Sequence, residues 1–371
     1  MSAYNRHGHD PARRRFLTLA GAAGGLAALP VNFWALSPAH AASKTLTVRI
    51  GSDISVLDPA QIFQIENQTV AGHVFNGLVK YDQATNEIVP DLAESWEVSD
   101  GGKTLTFKLR DGVAFHKGYG PCTSEDVKFS LERVLDPATA SKYRGQLAGL
   151  AKVEAPDPTT VRLILEKPNA GFLHKVTAFN QGWIVSKKAI TELGDKAKLT
   201  PIGTGPFVFE GWTPGSEVRL SANKDYFEGA PKFESLVLRL IKDETAAAIA
   251  LEKGEIDIFF SLQQPQIIER LQGKSNVTVV NRQANHTINL VLNTTIKPLG
   301  DVRVRQAIAH GMNRKALVDG YFKGTKAPGI SVLTSSFAEY TEDLPQYAYD
   351  PEKAKALLKE AGVSGFNFEI T

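Results

Sequence analysis

The chain has 371 residues, 43% of them hydrophobic and 22% charged, with 42 basic side chains against 40 acidic. So even a balance gives no footing for nucleic acid and no acidic excess for a cationic partner. Cys122, the only cysteine, excludes an intramolecular disulfide, and what remains is ordinary globular material with room for two cores.

The first forty residues stand apart. Arg13-Arg14-Arg15-Phe16-Leu17 precedes an uncharged run from Phe16 to Leu36, closed by Ala39-His40-Ala41. Arg13, Arg14, Phe16 and Leu17 read as the core of a twin-arginine export signal, and Ala39 and Ala41 as the small residues of a cleavage site. A membrane anchor is the competing reading of ~20 uncharged residues, weakened by the glycines and Pro30 in the run. Removing residues 1–41 leaves 38 basic and 39 acidic side chains, so the small positive charge belongs to the signal.

Leu46 to Ile50 alternates as a strand, and Gly51-Ser52-Asp53 and Leu57-Asp58-Pro59 supply turn chemistry before a helix from Asn67 to Phe75. Asp100-Gly101-Gly102-Lys103, set between two alternating runs, predicts a hairpin. The neighbours of Cys122 place it in a loop, with a structural role. Thr123 caps the next helix with Asp126 reaching back. Val127, Leu131, Val134 and Leu135 form its stripe, and Asp136-Pro137 stops it. In Pro201-Ile202-Gly203-Thr204-Gly205-Pro206-Phe207, the two glycines are expected to adopt backbone angles closed to other residues, and Phe207-Val208-Phe209 begins a strand. Trp183 and Trp212 sit in strand-like apolar runs and read as core.

Asp243 starts an alanine-rich helix ending at Gly254, and Ile256 to Phe259 returns as a strand. Asn281 to Asn293 alternates into extended structure. Asp301 opens a helix, Asn313 another, and Asp350-Pro351 through Gly362 supplies cap, N1 proline, stripe and C′ glycine. Gly365 to Thr371 then alternates as a strand that runs to the last residue, with Phe366, Phe368 and Ile370 on one face.

Chemistry-bearing motifs are missing. His73, His116, His174, His286 and His310 are too widely spaced for a metal pattern, and no His-Glu-x-x-His, Cys-x-x-Cys or Gly-x-Ser-x-Gly occurs. Neither an activated nucleophile nor a metal or other cofactor is expected, and hence no enzyme.

The order of Pro201 to Phe207, Gly211-Trp212 and Asn223-Lys224-Asp225-Tyr226, with the motifs from Leu46 onward, resembles extracytoplasmic solute-binding proteins of the peptide/nickel family. The resemblance implies an α/β fold, two-lobed and periplasmic-binding-protein-like, of type II and the peptide-binding class. It also implies a first lobe at 42–284, with a subdomain at about 78–200, and the start of a second lobe at 285–371. The second lobe is expected to be incomplete.

By the same resemblance Phe63, Gln64 and Ile65 pair main chain to main chain with an extended ligand, or else form the lead-in of a helix. Tyr143, Phe260 and Ser261 are cleft positions or lobe core. Asn285, His286 and Asn289 lie on a crossing between lobes, facing ligand or holding hinge backbone. The function implied is a monomeric periplasmic receptor that closes over a di- or oligopeptide and delivers it to the permease of an ATP-driven importer. The alternatives on the same shell are an exported hydrolase, a chaperone-like protein or a chemosensory receptor.

Overall fold

Residues 44–82, 84–260, 262–280, 287–335 and 340–367 are described by the computed structural model. The expected export signal lies outside them. Strand β1 (Thr45–Ile50) is followed by helix α1 (Ile65–Val74), two residues earlier than the pattern predicts. Strands β2 (Val79–Tyr81) and β3 (Ile88–Pro90) pair with each other. The predicted hairpin joins β4 (Ala93–Ser99) to β5 (Thr104–Leu109), and Asp100, Gly101 and Gly102 at its turn all take positive φ, the region where glycine carries no steric cost.

A small ribbon, β6 (Ala114–Phe115) with β7 (Gly120–Pro121), leads to α2 (Ser124–Leu135). The Asp126 carboxylate reaches back to the Thr123 backbone N–H and hydroxyl, both at 3.0 Å, as the sequence indicates. Asp126→Ala should therefore lower stability by about 1 kcal/mol, read from the urea midpoint. Cys122 is buried just before this helix, and burial pushes its thiol far up from the usual range. Strands β8 (Leu150–Asp157) and β9 (Thr160–Leu165) complete a four-stranded antiparallel sheet, β4-β5-β9-β8. Its core gathers Phe107, Leu163 and Val161 with Val127 and Leu131 of α2.

Beyond α3 (Phe172–Lys175) and α4 (Lys187–Leu193), β10 (Phe207–Thr213), β11 (Glu217–Ala222) and β12 (Ser235–Leu240) return to β1. With α5 (Glu244–Glu252) and β13 (Ile258–Phe259) they build a five-stranded sheet in the order β10-β11-β12-β1-β13, in which β1 lies parallel to both neighbours. One face buries Ile50, Leu236, Leu238, Val218 and Leu220 against Val70, Ala71 and Val74 of α1. The crossover helix α5 and α6 (Pro265–Gln272) form a smaller apolar cluster through Ala248, Ile267 and Leu271. Helices α7 (Val302–Gly311), α8 (Arg314–Ala316) and α9 (Pro351–Glu360) start at Asp301, Asn313 and Asp350, each of whose side chains accepts a backbone N–H.

Three sequence expectations change. Residues 365–367, where a strand was expected to begin, are in no strand, and the rest of that segment lies outside the described residues, as do 281–286 of the segment expected to be extended. Trp183 is buried but follows a 3-10 turn at Asn180–Gly182 rather than sitting in a strand, and Trp212, on β10, is only half-buried. Gly203 and Gly205 have ordinary negative-side φ, so their need is close approach. A Cβ on Gly203 would meet the Val74 carbonyl oxygen at 2.0 Å, and one on Gly205 would meet the Val74 carbonyl carbon at 2.6 Å.

That close approach belongs to a knot that ties the Pro201 to Tyr226 motif to the end of α1. Gly205 N donates to Val74 O at 2.8 Å, and the buried His116 donates its backbone N–H to Gly203 O and bonds Gly205 O through Nε2 at 2.9 Å. Thr204 Oγ1 donates to Asn76 Oδ1, Asn76 Nδ2 donates to Asp91 Oδ1 at 2.8 Å, and Gly77 N donates to Asp91 Oδ2 at 2.9 Å. Lys80 stands 3.9 Å from Asp91 and bridges to Glu228, while Tyr226 closes the ring against Asn76 and Glu228.

Candidate functional site

Because β12, β1 and β13 run parallel, their carboxyl ends come together, and in open α/β sheets that is where ligands bind. The segments leaving these ends are Gly51-Ser52, Ile241-Lys242 and Phe260. Arg49, 7% exposed, reaches across them: Nε donates to Ile241 O at 2.8 Å, Nη2 to Lys242 O at 3.1 Å, and the guanidinium lies over the Phe259 ring. Its plane rests against Gly51, where a Cβ would sit 3.2 Å from both terminal nitrogens.

The amino end of α1 is drawn to the same place. Ser52 Oγ donates to Glu66 Oε1 at 2.9 Å, and the buried Asn67 side chain takes the Ser55 N–H and returns a bond to Ser55 Oγ, both at 3.1 Å. Gln64 is the N-cap residue, its side-chain oxygen held by Ser55 Oγ. Below this loop, Arg133 grips the buried Asp58 through both carboxylate oxygens, at 2.8 and 2.5 Å, a bidentate geometry that fixes position as well as charge.

Of the residues singled out from sequence, Phe63 and Ile65 flank Gln64 with just over half their surface exposed. Gln64 is the cap residue of α1 and Ile65 its first residue. Tyr143 joins them, its hydroxyl donating to Ile62 O, and Lys142 Nζ lies 3.4 Å above the Phe63 ring. Phe260 is exposed just past β13. Among the described residues Asn289 bonds within its own segment, to Thr287 O and Oγ1. Ser261, Asn285 and His286 lie outside the described residues.

Sequence reading missed Arg49, Phe179 and Asn180. Asn180 is buried with φ 46°, accepts from Gln68 Nε2 at 3.2 Å, and sets the half-exposed Phe179 against Trp183. A non-glycine left-handed residue beside an exposed aromatic marks strain held by its surroundings. The signal for Arg49 was a charge in an otherwise uncharged strand; Asn180 had none, because its conformation depends on Gln68, 112 positions away.

Among the described residues no group of three or more His, Cys, Asp or Glu is placed to hold a metal ion, and no helix is long and apolar enough to cross a membrane. A mixed sheet of this topology, with α1 at the strand ends and an antiparallel sheet appended, has the α/β architecture of type II periplasmic binding proteins. Residues 87–370 match the bacterial extracellular solute-binding proteins, family 5, and the chain belongs to that family.

It is 33% identical over 361 residues to Di/tripeptide-binding protein 2 of Pseudomonas aeruginosa, covering 91% of this chain and 67% of that protein. Among solved structures it is similar to the periplasmic binding protein DppA from Helicobacter pylori in complex with peptide STSA, with TM-score 0.76, 30% identity, and coverage of 86% of this chain and 66% of that one. It is also similar to NikZ from Campylobacter jejuni in complex with Ni(L-His), with TM-score 0.77, 27% identity, and coverage of 86% and 64%. The chain thus spans about two thirds of the length of the relatives it matches.

Proposed function

We propose that this protein is the exported solute receptor of an ATP-driven importer, and that it binds a di- or oligopeptide between two lobes and hands it to a membrane permease. Residues 42–284 form the first lobe in this reading and residues 285–371 belong to the second. The observation that carries it is the meeting of three parallel strand ends with the amino end of α1. There Phe63 and Ile65 are exposed, and the backbone N–H groups of Phe63, Gln64 and Ile65 have no acceptor among the described residues.

Such a rim offers an extended ligand main-chain donors beside apolar surface, the combination that β-strand addition uses. Tyr143 and Phe260 border the same rim in this reading. Capture needs no chemistry, only more contacts in the closed than in the open form. The di/tripeptide name of the Pseudomonas relative and the peptide in the Helicobacter structure favour this ligand class.

The test is a thermal-shift titration of the full-length protein with tripeptides, Ni(L-His) and oligosaccharides. A tripeptide at 100 times its Kd should add about 2.7 kcal/mol of stability, a rise of several degrees in Tm. A response to Ni(L-His) alone would replace the peptide reading, and turnover of the peptide would replace the receptor reading.

A further inference from the structure

We propose that Arg49 is an anchor for a carboxylate of the bound solute. This rests on the receptor reading above and deepens it, by giving the ligand a required negative charge at the carboxyl end of β1. A guanidinium nine-tenths buried is ordinarily met by a carboxylate, yet Arg49 forms no ion pair within 4 Å among the described residues. Two backbone carbonyls and the Phe259 ring occupy Nε, Nη2 and one face.

Nη1 has no hydrogen-bond partner among the described residues. It is also not enclosed, for the one buried side-chain polar atom without a partner among the described residues is His116 Nδ1. The free nitrogen therefore keeps some solvent-accessible surface beside Gly51, where the absence of a Cβ lets the guanidinium plane lie close against the backbone. Three acids lie near enough to favour its charge, Glu244, Glu66 and Asp243, and none is set on it. Glu244 takes the backbone N–H groups of Gln263 and Gln264, Glu66 takes the Ser52 hydroxyl, and Asp243 caps α5 through Ala246 N.

A planar cation with an open edge, already oriented by two carbonyls, matches the geometry of a carboxylate. It would read either the C-terminus of a short peptide or an acidic side chain, and it leaves a neutral solute without its main polar contact.

The experiment is calorimetric titration of the full-length protein, wild type and the variants Arg49→Gln and Arg49→Lys. The probes are trialanine as the free acid, trialanine amide, and the amide of Ala-Glu-Ala. Wild type should bind the free acid at least tenfold more tightly than the neutral amide. Arg49→Gln should lose that preference, binding acid and amide alike, and Arg49→Lys should keep part of it. Recovery of tight binding by the Ala-Glu-Ala amide assigns the site to an acidic side chain; its absence assigns it to the C-terminus.

Equal affinity of wild type for acid and amide overturns the inference and leaves the receptor reading standing, whereas binding of no tripeptide overturns the peptide reading with it. If Arg49→Gln fails to fold, Arg49→Lys decides: an acid-to-amide ratio equal to that of wild type places the charge preference elsewhere.

Discussion

Gly203→Ala is expected to destabilise the protein by at least about 3–4 kcal/mol, the range reserved for changes that force backbone apart in a packed interior. The added methyl carbon would sit 2.0 Å from the Val74 carbonyl oxygen and 2.9 Å from the Phe75 ring, and neither backbone segment is free to retreat. Val74 closes α1, and the Gly203 side is held by His116 from one direction and through Thr204 by Asn76 from the other. Relief of the clash must break some of these bonds, leaving buried donors unmatched.

Gly211→Ala is the internal control. Nothing lies within 4 Å of the Cβ it would carry and its φ is ordinary, so the change should stay within about 1 kcal/mol. Urea midpoints of the two variants beside wild type check the pair; similar midpoints would show that the knot yields.

This motif shows how far the sequence carried. Its glycines were conspicuous, but the reason for them was misjudged as backbone conformation, since the atoms that exclude a side chain belong to Val74, more than a hundred residues upstream. Helices whose signals are local were legible for the opposite reason: Asp243, Asp301 and Asp350 each cap a helix within three residues of themselves. The β1 strand was likewise evident, and so was its turn into the site. Its parallel pairing with β12 and β13 was not evident, because register between segments some 190 and 210 positions apart leaves no local trace.

At the candidate site the same division holds. Phe63, Gln64 and Ile65 were named through a family-like loop and Tyr143 as a family-like cleft position, while Arg49, Phe179 and Asn180 gain meaning only from neighbours distant in the chain.

Asp91 should give the folding stability an unusual pH dependence. Its carboxylate accepts hydrogen bonds from Asn76 and Gly77 and has Lys80 nearby, all of which favour the charged form, yet complete burial outweighs them and pushes its pKa up to about 6. In the unfolded chain an aspartate titrates near 3.9. Between about pH 4 and about pH 6 the folded protein therefore holds a proton that the unfolded chain has released, and stability falls as pH rises through that window. Above it both states are ionised and the burial penalty is complete, and below it both are neutral and the penalty is absent. At about 1.4 kcal/mol per pKa unit, the drop is on the order of 3 kcal/mol.

His116 works in the opposite sense. Burial holds its imidazole below the usual value, so the unfolded chain protonates first and stability falls as pH drops below about 6.5. The two slopes overlap, and a single wild-type curve would blur them. Asp91→Asn removes one and keeps the other. The difference in unfolding free energy between wild type and Asp91→Asn, measured in urea from pH 4 to pH 7, should change by up to about 3 kcal/mol in the direction that disfavours wild type as pH rises. A difference that stays flat across that range would mean that Asp91 ionises as it does in the unfolded chain, its hydrogen bonds from Asn76 and Gly77 and the nearby Lys80 offsetting the burial in full.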